Sequence, residues 1–115
     1  MRDLKLVVNN KQRKRDEKIF FVRKEFKTIL NLYARMVSNG SWKDYSLSSS
    51  YKEVSFDIYQ RASEKPIYRI SKNLNPKRQD ERFYILDRNG KIVKKSDNLE
   101  NLIKRVEWTR LKLVK

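Results

Sequence analysis

Residues 53–72, EVSFDIYQRASEKPIYRISK, decide the fold. Val54, Phe56 and Ile58 alternate with polar residues, the period-two pattern of a strand with one buried face. After RASEKP the apolar and aromatic pattern resumes in IYRISK. A connection this short joins neighbouring strands only in antiparallel fashion, because a parallel crossover needs a dozen or more residues. Pro66 has no amide for a ladder and belongs where the returning strand begins, while Ser63 and Glu64 can bond locally within the turn. Glu64 is better placed to pair with Lys65, Arg61 or a helix cation than to act as a catalytic acid. Alternation would bring Arg61 and Arg69 to one exposed strand face.

Working outward from this hairpin, WKDYSLS (42–48), RFYILD (82–87) and KIVKK (91–95) read as further short strands, and KIFFV (18–22) has strand composition. Asp87–Gly90, DRNG, is a hairpin turn in which Asn89 and Gly90 can take positive φ. The polar stretch KNLNPKRQDE (72–81), interrupted by Pro76, reads as a projecting loop that carries Lys72, Lys77 and Arg78 into solvent.

Two segments have helical spacing instead. Phe26, Ile29, Leu30, Tyr33, Met36 and Val37 form one apolar stripe over 24–38, closed by Gly40. Val22 cannot cap this helix, and Arg23 and Lys24 oppose its dipole; the end is poorly capped, or its free amides and two cations would take a phosphate. In SDNLENLIKRVEW, Asp97 and Glu100 can form a capping box, and Leu99, Leu102, Ile103 and Val106 a second stripe. Both stripes need an apolar sheet to cover them. The expectation is an α+β fold: an antiparallel meander of four to five strands with the two amphipathic helices mainly on one face. The leader, 1–17, reads as a flexible basic arm and 18–110 as the single domain. Residues 111–115 form a short basic tail or an edge-strand extension.

Composition narrows the chemistry. The chain carries 29 Lys plus Arg against 14 Asp plus Glu, a net +15 over 115 residues, and has no Cys and no His. Cysteine nucleophiles, disulfides, thiolate metal sites and imidazole acid–base catalysis are therefore ruled out within it. Only Gly40 and Gly90 are present, too few for a Walker or Rossmann phosphate loop. Asp57, Glu64, Asp80, Glu81, Asp87 and Asp97 are scattered without the spacing of a carboxylate pair or metal site. Ser63 and Lys65 lack an activating neighbour. The reading is of a non-enzymatic protein without a cofactor. No apolar run approaches a membrane span and no secretory leader is recognisable, so a soluble cytoplasmic protein is expected.

The positive balance biases encounters toward RNA, DNA, acidic proteins or anionic lipid. Cations and aromatics interleave at Arg61, Lys65, Tyr68, Arg69, Lys72, Lys77, Arg78 and Arg82, followed by Tyr84, a pattern suited to phosphate contacts with base stacking. Against this stands a plain alternative, with the Tyr rings in the core and the cations solvated. A second candidate surface, Arg35, Trp42, Lys43 and Tyr45, would suit an acidic protein partner, although Trp42 also fits a core position at the helix end. Trp108 would lock the last helix or mediate a homodimer, which nothing else in the sequence specifies.

Three stretches in combination, ILNLYARMVSNGSWKDY, FDIYQRASEKPIYRISK and DRNGKIVKKSDNLENLIKRVE, resemble the small alphaproteobacterial domain-of-unknown-function family 2794, over about Phe20 to Glu107. The first motif is matched by Tyr33, Arg35, Met36, Val37, Gly40, Trp42, Asp44 and Tyr45, the second by Arg61, Ala62, Ser63, Glu64, Pro66, Tyr68, Arg69 and Ile70. Val22 departs from an acidic helix cap and Ala34 from a glycine-like position. The resemblance implies an intracellular bacterial protein of the same fold, with no established activity or cofactor.

Overall fold

A computed structural model of the chain describes residues 20–61, 65–106 and 108. Helix α1 (Arg23–Ser38) leads into a five-stranded antiparallel sheet of β1 (Asp44–Ser49), β2 (Glu53–Tyr59), β3 (Tyr68–Asn73), β4 (Phe83–Asp87) and β5 (Ile92–Ser96), followed by helix α2 (Leu99–Arg105). Strand order follows chain order, a meander in which every strand pairs with its sequence neighbour. The α+β expectation is met. The N-terminal leader, the Ser63–Glu64 turn and the C-terminal tail lie outside the described residues.

Register explains how the sheet sorts its side chains. Leu47, Phe56, Ile70 and Ile85 lie opposite one another across four strands, with Val54 and Ile58 two residues to either side of Phe56. Residues directly opposite in an antiparallel ladder share a face, so this row faces the helices. Val54, Phe56, Ile58, Ile70 and Ile85 are buried there with Ile29, Leu32 and Met36 of α1 and Leu99, Leu102 and Ile103 of α2. Each such side chain contributes about 1.5–3 kcal/mol of transfer free energy, so this single interior dominates the fold.

The ends of the elements are built from local chemistry. Helix α1 closes in a Schellman motif: the Gly40 N–H donates to the Val37 carbonyl at 3.0 Å and the Ser41 N–H to Met36 at 2.9 Å. Gly40 has φ +83°, which a side chain would disfavour. The β1–β2 turn is held by Ser50, whose hydroxyl accepts from the Lys52 and Glu53 amides at 3.2 Å each. In the β4–β5 turn Gly90 alone takes positive φ, +81°, correcting the expectation for Asn89. The Asp87 Oδ1 accepts the Asn89 and Lys91 amides, 2.9 Å each, and so fixes Asn89 without strain.

Three further expectations are corrected. The N-cap of α2 is Asn98, which accepts from the Asn101 amide at 2.9 Å; Asp97 stays outside, one residue too early. Phe20–Val22 do not join the sheet, and Phe21 packs into the core ahead of α1. Lys72 is not in a solvent loop but in β3, on the helix-facing side, opposite Val54 and Phe83. It is only 4% exposed. Its ammonium donates to Glu25 Oε1 and to the Phe20 carbonyl, both at 2.9 Å, while the same Glu25 oxygen accepts the Val22 amide at 2.8 Å. The start of α1 therefore receives its negative charge from Glu25, inside the chain, where a phosphate was the alternative.

Candidate functional site

Turned away from the helices, the sheet presents a polar face. The rows Ser46–Asp57–Arg69–Leu86 and Ser48–Ser55–Ser71–Tyr84 run across it. Asp57 lies at its centre, 1% exposed. Its carboxylate accepts from the hydroxyls of Ser48 and Ser55, both at 2.7 Å, and pairs with Arg69 Nε at 3.3 Å. These partners satisfy a buried charge that would otherwise be costly. The Arg69 side chain is 44% exposed, and among the described residues this Nε contact is its ion pair. A guanidinium held through Nε keeps its two Nη groups to present to a second anion, the planar fork that matches phosphate.

Beside it, the Ser46 hydroxyl and the Tyr59 phenol share a hydrogen bond at 3.1 Å, and the Tyr84 phenol donates to Glu53. Burial first, and then the hydrogen bond to Glu53, push Tyr84 up to about 12, while Arg69 acts in the opposite direction. Arg69 is thus within electrostatic reach of the Tyr84 ring.

The meander decides which loops meet. In such a sheet alternate hairpins emerge at the same end, so the β2–β3 and β4–β5 connections are neighbours where β3 begins and β4 finishes. The first brings Arg61 and Lys65 there, the second Arg88 and Lys91, all exposed. Tyr68 pairs with Asp87 across this end. Burial and the Asp87 carboxylate raise the Tyr68 phenol, and the Arg88 guanidinium opposes them, which puts Arg88 beside the head of β3. Arg69 is the next residue along β3, on the polar face. Arg61, Lys65, Arg69, Arg88 and Lys91 therefore gather at one end of the sheet. Of the described carboxylates at this end, Asp57 pairs with Arg69, Asp87 accepts its turn amides and Asp44 accepts the Tyr45 amide at 2.7 Å.

Of the remaining expected residues, Lys43 lies at this same end, its amide donating to the Tyr59 carbonyl at 2.9 Å, and the others do not join the group. Lys77, Arg78 and Arg82 belong to the β3–β4 connection at the opposite end, about 17–20 Å away along the six residues of β3. Arg78 pairs there with Asp80 at 3.1 Å, in the open. Lys72 is internal, and Tyr68 faces the helices, edge-on to Trp108 at 5.3 Å. Of the second surface, Trp42 is 2% exposed and packs edge-on to Trp108 at 5.4 Å, which removes it from any interface. Arg35 lines a cleft of about 410 Å³ between α1 and α2, with Leu32, Ile103, Lys104 and Trp108. Lys43 precedes β1 and Tyr45 lies within it, and both are exposed. Arg88 and Lys91 stand outside the expected set because DRNGK, taken locally, signals only a turn. The parity of the hairpins was the signal that would have placed them beside Arg61 and Lys65.

Among the described residues no group of three or more Asp or Glu is placed to hold a metal ion, and no helix is long and apolar enough to cross a membrane. A family model described as protein of unknown function, DUF2794, matches residues 19–103. No curated protein and no solved structure matches the chain.

Proposed function

We propose that the chain, which belongs to the DUF2794 family of proteins of unknown function, is a non-enzymatic module that binds RNA or single-stranded nucleic acid at the basic end of its sheet. The observation that carries this reading is the convergence of two hairpins, with Arg61, Lys65, Arg88 and Lys91, on an Arg69 oriented by Asp57. Phosphates would be met by the loop cations and by the Nη groups of Arg69, with the serine hydroxyls of the polar face as neutral hydrogen-bonding groups beyond them. Tyr59 and Tyr84 are half-buried and their hydroxyls are engaged, so they offer ring edges and faces for bases rather than free phenols. This favours contact with the backbone over reading of sequence, because the cations of this end sit on two hairpins and a strand and not on a helix that could enter a groove.

The test is fluorescence anisotropy with labelled single-stranded RNA and DNA across about 50–200 mM salt. The reading predicts binding whose log affinity falls linearly with log salt, by about 0.7 per phosphate contacted. Absence of binding to either polymer at near-physiological salt overturns it. Binding confined to a polyglutamate probe would reassign the same end to an acidic protein.

A further inference from the structure

The two edges of the sheet are protected differently. At β5 the exposed Lys91, Lys94 and Lys95 surround Ile92 and Val93, the charged edge by which β proteins discourage further pairing. At β1 nothing comparable exists: between Asp44 and Lys52 the chain reads YSLSSSY, without charge or proline. Five of the six strand residues are exposed. Tyr45 and Leu47, on the side of the helices, are 40% and 42% exposed.

The phase of the ladder tells which backbone groups of β1 are unused by β2. The Ser50 amide donates to the Glu53 carbonyl at 2.8 Å. In an antiparallel pair the bonded positions recur every second residue, so Ser48 and Ser46 bond β2, and Tyr45, Leu47 and Ser49 turn their N–H and C=O groups outward. The Tyr45 amide agrees with this phase, since it donates to the Asp44 carboxylate at 2.7 Å rather than to β2. Leu47 and Ser49 carry no such plug among the described residues.

We propose that β1 is a pairing edge through which two copies of this chain join antiparallel, on a two-fold axis at Leu47. A two-fold contact requires a self-complementary patch, and outward-facing residues must meet outward-facing residues. In this register the Leu47 N–H donates to the Leu47 carbonyl of the second copy, and the Ser49 N–H to its Tyr45 carbonyl, each twice by symmetry. The two Leu47 side chains cover one another beside Tyr45. Asp44 comes opposite Ser50, so no like charges face each other. A shift of two residues in one direction drives Tyr45 against Tyr51 in the β1–β2 turn; in the other it leaves Ser49 facing Lys43, outside the strand. The inference is independent of nucleic-acid binding.

A second copy also has a salt signature. Each chain carries +15, and the contact itself contains no ion pair, so salt screens the repulsion and strengthens association. A strand from an acidic partner would respond in the opposite sense.

Sedimentation of the full chain at about 10–300 μM and two salt concentrations, with amide hydrogen exchange on the same samples, tests this. Expected are a dimer that gains population with salt, and exchange at Leu47 and Ser49 that slows with protein concentration while Ser46 and Ser48 stay constant. Leu47→Pro removes an outward donor without touching the ladder to β2. It should raise the dimer Kd roughly 30-fold, the loss of two hydrogen bonds. Ile92→Lys on the other edge should leave the Kd unchanged. A chain that stays monomeric, whether Leu47 exchanges freely or is protected within one copy, a dimer weakened by salt, or a dimer indifferent to Leu47→Pro in a folded protein each overturns the proposal. Should Leu47→Pro fail to fold, the alternating exchange pattern of the unaltered chain decides.

Discussion

Replacing Lys72 by Met tests whether this cation acts in the interior or on a ligand. Met keeps an unbranched apolar stem in β3 and removes only the ammonium, so packing against Val54 and Phe83 changes little. Left behind are the Phe20 carbonyl without this donor and the Glu25 carboxylate, 19% exposed, without its cation. Removing one partner of a buried pair typically costs about 3–5 kcal/mol; the partial exposure of Glu25 and its remaining Val22 amide place this case near the lower end, about 3 kcal/mol. With a urea m-value of about 2 kcal/mol/M, the unfolding midpoint should fall by about 1.5 M. Adding Glu25→Gln removes the stranded charge and should recover part of the loss. Urea titration followed by circular dichroism reads both variants, and the salt slope of nucleic-acid binding should be unchanged in folded Lys72→Met. A loss below about 0.5 kcal/mol, or a reduced salt slope at unchanged stability, would refute the reasoning and return Lys72 to the surface.

Two further outcomes follow from local geometry. Because Tyr84 is held up at about 12 against an ordinary phenol near 10, its neutral form is the one the fold prefers. Its contribution is complete below about pH 10 and lost as pH rises toward 12. Tyr84→Phe should therefore flatten, without abolishing, the alkaline fall in melting temperature, since Tyr33 and Tyr68 are also raised by burial. Gly90→Ala meets no neighbouring atom within 4 Å, so its cost is the left-handed backbone alone, about 1 kcal/mol in a denaturant titration. Gly90→Asn should cost less.

The fold was legible because its signals are local. Val54, Phe56 and Ile58 announced both the strand and its buried side, and the short turns at RASEKP and DRNG left only an antiparallel path. What composition could not supply was the third dimension of the charges. Lys72 is chemically indistinguishable from Lys77 in a sequence, yet one more pair in β3 turns it inward onto Glu25. The candidate site is half-legible for the same reason: Arg61, Lys65 and Arg69 belong to it, but sequence proximity alone also groups Lys77, Arg78 and Arg82 with them. Sheet topology sends those to the far end and brings Arg88 and Lys91 in. The Asp57 carboxylate gave no signal beyond its alternation, since only cross-strand register reveals Ser48, Ser55 and Arg69 around it.

The most direct test of the central claim compares the two ends of the sheet. One variant neutralises Arg61, Arg69, Arg88 and Lys91 to Gln; the other neutralises Lys77, Arg78 and Arg82, with both checked for native circular dichroism. Salt-dependent anisotropy with one single-stranded RNA should show the slope of the first variant reduced by about 3, four contacts at about 0.7 each, and that of the second close to the unaltered chain. Equal losses at the two ends would mean a diffuse cationic surface. An undiminished slope in the first variant would contradict the proposed interface outright.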